Sequence, residues 1–299
     1  MSKLHSIKPT HPPLHLRVAI LDMNNGHRNI GVRNIQRIVT NFAHSLSDSH
    51  PHVSFKTERF HVRDKNEVPD LSFDFYISSG GPGSPLEDDG TGWEKAYFKL
   101  LDQLIEHNLS HADKKYFFGI CHSFQTMAKK FNIAKIDRRE KRKLGVVPIF
   151  KTTDGKNDPM FEGLLEKFYA FDNRDWQVFD PDMRQLKNLN ARILSYEEED
   201  HRIGKAITGI RYSDEMESVQ FHPEAERDGI LIRFTDPDEK LHIIEILGKK
   251  EYEKLIQSLN NPRKLLRTYK TILPGFLVRS FNGMSGHYGL EPISRDLKN

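Results

Sequence analysis

Cys121 is the only cysteine in the 299-residue chain, and its surroundings suit a nucleophile. The apolar run 116–120 ends in Gly119-Ile120-Cys121-His122-Ser123, and a helical pattern begins at once. Small residues two before and two after a reactive side chain let a strand turn sharply into a helix and present that side chain above the sheet. The helix N-terminus then offers free N–H groups and a positive dipole end, which favour a thiolate and an oxyanion. The chemistry this predicts is thiolate attack on a carbonyl. A thiol needs a proton acceptor, and position must choose among fifteen histidines. His222, in Gln220-Phe221-His222-Pro223-Glu224, follows a short apolar stretch that Pro223 stops. Glu224 is placed to bond the second imidazole nitrogen and to stabilise the imidazolium. A third piece, Gly80-Gly81-Pro82-Gly83, ends an apolar strand and can turn backbone N–H groups toward a developing oxyanion.

These residues need a scaffold that brings strand ends together. Strands are expected at 16–23, 53–60 and 73–79, and helices at 34–46, 93–107 and 123–131, from period-two and helical apolar spacing. Strand–helix alternation predicts a mostly parallel central sheet flanked by helices, an α/β fold. Between 146 and 212 short strands broken by turns predict a small antiparallel sheet, and 217–221 returns to the main sheet. The helical patterns at 241–259 and 263–269 precede a turn-rich stretch, 271–299. The expected organisation is a flexible N-terminus at 1–15, one α/β domain over 16–236, and a C-terminal helical appendage over 237–299.

Composition narrows the function classes. Forty-five Lys and Arg against 42 Asp and Glu leave a net charge of +3, which gives no footprint for nucleic acid. Hydrophobic residues make up 37%, and no apolar run approaches the roughly 18 residues of a membrane helix. The His- and Pro-rich start, 1–17, has no apolar core of a secretory signal, and one cysteine allows neither an internal disulfide nor a Cys-based metal site. A cytoplasmic protein without metal or cofactor is expected. Neither a dinucleotide Gly-x-Gly-x-x-Gly nor a phosphate-loop Gly-Lys-Ser/Thr is present. The basic run 135–143 reads as a solvated segment or as a docking patch for an acidic partner.

Ser-Gly-Gly-Pro-Gly-Ser-Pro at 79–85, Gly-Ile-Cys-His-Ser-Phe-Gln at 119–125 and Gln-Phe-His-Pro-Glu at 220–224 together resemble the motifs of class I glutamine amidotransferases, over roughly 16–235. The likeness is greatest to stand-alone GMP-synthase-like members. It implies a flavodoxin-like fold and a γ-glutamyl thioester on Cys121, with His222 as base and acid and Glu224 as its orienter. It further implies an oxyanion hole from the N–H groups of Gly81 and His122, and contacts from Gly83 and Gln125 to glutamine. Two departures stand out. Ser123 replaces the second glycine of the family's Gly-x-Cys-x-Gly-x-Gln. In addition, Asp172, Arg174 and Asp175 lie where many members carry a His- or Ser-containing strand, which suggests a different clamp for the glutamine zwitterion centred on Arg174.

The function so implied is a glutaminase subunit that supplies ammonia to a separate synthetase. Three alternatives stay open: a Cys-dependent acyltransferase on the same architecture, a γ-glutamyl hydrolase, or a catalytically silent binding module. For an ammonia-supplying protein, the basic run and the C-terminal appendage are the two candidate docking surfaces.

Overall fold

The computed structural model describes residues 12–28, 30–87, 89–200 and 204–294. Most of the N-terminal segment expected to be flexible, 1–11, lies outside the described residues, and its last two positions already belong to the first strand. The chain runs β1 (Leu14–Asp22), α1 (Ile30–Ser45), β2 (Val53–His61), α2 (Val62–Lys65), β3 (Phe75–Ser78), α3 (Gly92–Ser110), β4 (Tyr116–Ile120) and α4 (His122–Phe131). It continues through β5 (Ala134–Lys151), α5 (Thr153–Asn157), a 3-10 turn (Pro159–Phe161), β6 (Lys167–Pro181), α6 (Met183–Asn188), β7 (Arg192–Asp200), β8 (Gly204–Arg211) and β9 (Met216–Val219). Four helices follow: α7 (Arg227–Thr235), α8 (Pro237–Leu247), α9 (Lys249–Leu259) and α10 (Pro262–Tyr288).

The strands form one sheet in the order β2-β1-β3-β4-β9-β8-β6-β5-β7. From β2 to β9 every pairing is parallel, and from β9 onward every pairing is antiparallel. Because β7 also pairs with β8, strands β5 to β8 close into a small barrel. The expected mostly parallel sheet is therefore mixed. The turn-broken strands of the middle third do not form a separate layer; through β8–β9 they continue the main sheet.

Alternation along β1 assigns its side chains to two faces. Leu16, Val18 and Ile20 join α1 and α10 in one buried cluster, and Ala19 and Leu21 join α3 and α4 in another. The stretch expected to be turn-rich from Thr271 onward is helical to Tyr288 and ends at Gly289, whose φ of +66° closes the helix in the left-handed region. Pro274, Gly275, Gly283 and Gly286 are poor helix formers and mask the pattern. Ile272, Leu273, Phe276, Leu277, Phe281 and Met284 are nonetheless buried at helical spacing, with Phe276 5.2 Å from the Phe118 ring of β4. Tertiary burial outweighs local propensity there, so α10 is part of the central core rather than an outlying segment. An ion-pair chain adds to this docking: Arg211 bonds Asp158 at 2.6 and 2.7 Å and Glu217 at 2.5 Å, and Glu217 also accepts from Arg279 of α10. The expected single helix at 241–259 is divided at Gly248, with φ +82°, and α7 to α9 form a smaller cluster around Phe234, Tyr252 and Leu255.

Candidate active site

Cys121 sits in the one-residue turn between β4 and α4, with φ +52° and ψ −101°. Such a conformation costs a non-glycine residue of order 1–3 kcal/mol and must be held by its surroundings. Its N–H donates to Val219 of β9 at 2.9 Å, and Gln125 N–H returns to its carbonyl at 3.1 Å. The tight packing behind the turn explains the small residue at 119, where a Cβ would lie 2.6 Å from the Met127 sulfur. On the other flank Ser123 is fully buried. Its hydroxyl bonds the Ser78 hydroxyl and donates to the Ser79 carbonyl, both at 2.7 Å, and Tyr97 adds a 3.1 Å bond to Ser78. Serine at this position therefore fastens the Cys121 turn to the end of β3.

The loop leaving β3 is fixed in turn. Met23 N–H donates to the Ser79 hydroxyl at 3.0 Å, and Arg63 donates to the carbonyls of Met23 at 3.1 Å and Pro82 at 2.5 Å. A Cβ on Gly81 would stand 2.0 Å from the Met23 carbonyl oxygen, so only glycine fits. Among the described residues neither the Gly81 N–H nor the His122 N–H has a protein acceptor. Gly83 has φ +91° and lies on the exposed side of the loop, near Arg63.

His222 follows β9 and is held at both ends. Its N–H donates to Phe171 of β6 at 2.8 Å, and its Nδ1 donates to Glu224 Oε1 at 2.8 Å. Nε2 is left for Cys121, the hydrogen-bond neighbour on the other side of the ring. How close these groups lie is measured by Gly80, where a Cβ would be 2.7 Å from His222 Cε1 and 3.2 Å from Cys121 Cβ. Burial disfavours the His222 imidazolium, but the Glu224 carboxylate and Cys121 outweigh it and hold the pKa well above the usual histidine range. Glu224 is 3% exposed, and its backbone carbonyl accepts from Asn34 of α1 at 3.0 Å. A cleft of about 170 Å³ opens on this side, lined by His222 and Glu224 with Asn24, Asn34, Phe171 and Arg233 among others.

Other residues expected at the site are placed differently. Gln125 is buried, and its amide donates to Gln220 Oε1 at 3.0 Å and the Trp176 carbonyl at 3.2 Å. The Arg174 guanidinium is buried between Asp172 and Glu197 and bonds both carboxylates. Burial lowers its pKa, against the opposing pull of Glu197 and the nearby Cys121. Asp175 lies apart, 3.6 Å from Arg142. Asp172, Arg174 and Asp175 therefore do not converge as a clamp: two neutralise each other in the interior and the third lies on the rim. The His122 side chain is buried with both ring nitrogens unbonded among the described residues. Burial, then the nearby Arg63 and Lys129 charges, push its pKa down to about 3, so the ring is neutral.

The basic run also resolves into pairs. Lys135 bonds Asp180 at 2.7 Å, Lys143 bonds Glu197 at 2.7 Å, and Arg139 bonds Gln177 at 2.6 Å. Arg139 also lies 3.4 Å from Glu197 and Arg142 3.6 Å from Asp175, so four of the run's six cations have carboxylate partners in β6 and β7. Sequence reading missed Asn34, Phe171 and the Ser78–Ser79 pair, because each acts on a residue far along the chain and carries no local signature. Ser79, at the start of the 79–85 motif, and Gln220, two residues before His222, both lie inside quoted motifs. Among the described residues no group of three or more His, Cys, Asp or Glu side chains is placed to hold a metal. None of the described helices is long and apolar enough to cross a membrane.

Solved structures share this architecture. A glutamine amidotransferase from Thermotoga maritima superposes with a TM-score of 0.62 at 16% identity, over 89% of this chain and 98% of that one. The Trypanosoma brucei CTPS glutaminase domain with bound acivicin gives 0.50 at 13% identity, over 89% and 93%. No curated protein sequence matches the chain. The family model for class I glutamine amidotransferases matches residues 34–228, the greater part of the chain, and on that match this protein belongs to the class I glutamine amidotransferase family.

Proposed function

We propose that the protein is a glutaminase that cleaves the side-chain amide of glutamine through a thioester on Cys121 and passes the ammonia to a separate synthetase. The observation that carries this reading is the meeting of three distant segments: a Cβ at Gly80 would lie 2.7 Å from His222 and 3.2 Å from Cys121, and His222 is bonded to Glu224. In the proposed reaction the Cys121 thiolate attacks the amide carbon, and its proton resides on His222. Charge on the carbonyl oxygen is met by the unclaimed N–H groups of Gly81 and His122, donors already fixed before the charge develops. Collapse breaks the carbon–nitrogen bond, and His222 delivers its proton to the departing ammonia. A water then gives a proton to His222 while its oxygen attacks the thioester, releasing glutamate and restoring the thiolate–imidazolium pair. Glu224 acts through His222, fixing the tautomer and favouring the imidazolium. The raised His222 pKa supports the acid half of the cycle.

Gln125 and Gly83 are proposed to shape the wall against which the substrate lies. For Gln125 the contact would come through its carbonyl, since its NH₂ is engaged. Arg174 is proposed to act through the field it places behind Cys121 rather than by gripping glutamine. Ammonia is mostly protonated at neutral pH, so delivery in trans needs docking over the site. The test is release of glutamate and ammonia from glutamine by purified protein, with Cys121→Ala inactive. Equal rates in wild type and Cys121→Ala, with no labelling of Cys121 by a thiol-reactive glutamine analogue, would overturn the proposal. Consumption of an acyl thioester with a hydroxyl acceptor, in place of glutamine turnover, would establish the acyltransferase reading.

A further inference from the structure

Away from the catalytic residues, the start of β6 and the first turns of α10 enclose a cleft of about 200 Å³. Its lining includes Lys167, Arg263, Lys264 and Arg267, together with Tyr169 and Thr268, and contains no carboxylate. Four positive charges thus share one concavity on a chain whose net charge is only +3. None of the four is ion-paired among the described residues; the acid beside them in sequence, Glu166, bonds Lys156 instead, at 2.9 Å. The contrast with the basic run at 135–143 is direct, since most of those cations are paired within the fold.

Such a grouping is unfavourable when empty. Arg263 and Arg267 stand one helical turn apart on the same face of α10, where like charges repel, and Lys264 lies beside them. The Lys264 ammonium rests 4.6 Å from the Tyr169 ring centre and the Lys167 ammonium 5.2 Å from that of Phe150, so aromatic faces partly position the cations. Thr268 donates to the Tyr169 carbonyl at 2.5 Å and ties the helix to the strand, which fixes the two walls of the cleft relative to each other. Planar guanidiniums on a rigid helix, facing a lysine on a strand, match the several oxygens of a phosphate group.

We propose that this cleft binds the phosphate monoester of a small molecule through Lys167, Arg263, Lys264 and Arg267. A nucleic acid would need a longer positive track, and an acidic protein surface a broader, flatter one; the charge is confined to one small hollow. The site does not depend on the glutaminase reading.

Isothermal titration of the full chain with adenosine 5′-monophosphate, ribose 5-phosphate and inorganic pyrophosphate at 0.1 M salt tests this. At least one ester is expected to bind saturably at one site. Loss of a charge-assisted bond should weaken it roughly tenfold per cation, hence about a hundredfold in Arg263→Gln/Arg267→Gln. Lys167→Gln, on the other wall, should lose about tenfold by itself and guards against a helix variant that fails to fold. Both variants should keep the wild-type rate with glutamine. The proposal is overturned if neither ester saturates, if the variants bind them as wild type does, or if pyrophosphate binds and the esters do not. Stronger competition by a poly-glutamate peptide or duplex RNA than by the esters would also overturn it.

Discussion

Replacing Gly80 by alanine tests the proposed chemistry at its tightest point. The added methyl carbon would lie 2.7 Å from His222 Cε1, whereas carbon atoms rest about 3.5–4.0 Å apart, so roughly 1 Å of movement is required. The imidazole has little room to retreat: Nδ1 is bonded to Glu224 at 2.8 Å and its own N–H to Phe171 at 2.8 Å. Cys121 Cβ, at 3.2 Å, blocks the opposite direction. A displacement of about 1 Å between reacting groups costs on the order of 10²-fold in rate, or about 2.7 kcal/mol of transition-state stabilisation. Gly80→Ala should therefore lower kcat/KM for glutamine about a hundredfold, measured by coupled glutamate release, while overpacking lowers stability by about 1–3 kcal/mol. Gly286→Ala is the control, since a Cβ there meets nothing within 4 Å and should raise stability by up to about 1 kcal/mol without affecting the rate. Wild-type kinetics in Gly80→Ala would mean that Cys121 and His222 do not act together at this position.

Glu224→Gln should lower the His222 pKa, because burial is then opposed by Cys121 without the carboxylate; ring-proton NMR titration reads this directly. A raised pKa in the folded protein gives stability that is complete below the unfolded value of about 6.5 and is lost as pH rises through the folded value. The stability gap between wild type and Glu224→Gln should accordingly narrow on the alkaline side of pH 6.5, and a gap constant across that range contradicts this account. Ser123→Ala removes the hydroxyl that joins the Cys121 turn to Ser78 and Ser79 and should cost about 1–3 kcal/mol in denaturant unfolding. Phe276→Ala should cost about 3–5 kcal/mol if α10 belongs to the central core, and a loss under about 1 kcal/mol would show that it does not.

Legibility from sequence followed the range of the interactions involved. The turn at Cys121 and the His222–Glu224 pair are local, two or three residues wide, and their geometry is visible in residue order alone. The parallel half of the sheet was equally plain, because each of its strands carries its own apolar pattern. Closure of the barrel was not, since the β7–β8 pairing that completes it adds no composition signal beyond ordinary strands. The pairing of Arg174 is hidden for a related reason: the carboxylate that bonds it, Glu197, arrives from another strand 23 residues away. The C-terminal helix was hidden by its own glycines and proline, whose unfavourable propensities are offset only by partners such as Phe118 and Tyr116, more than a hundred residues earlier.

His222 bridges the line where parallel pairing gives way to antiparallel pairing. Its position in the chain comes from β9, on the parallel side, and its N–H is anchored to Phe171 of the barrel. Cys121, by contrast, follows β4, and its N–H is bonded to Val219 of β9. The gap between His222 and Cys121 is thus set across a joint, like a spark gap with one electrode on each casting. A shift of β6 relative to β4 would change that gap, whereas one shared by both would leave it untouched.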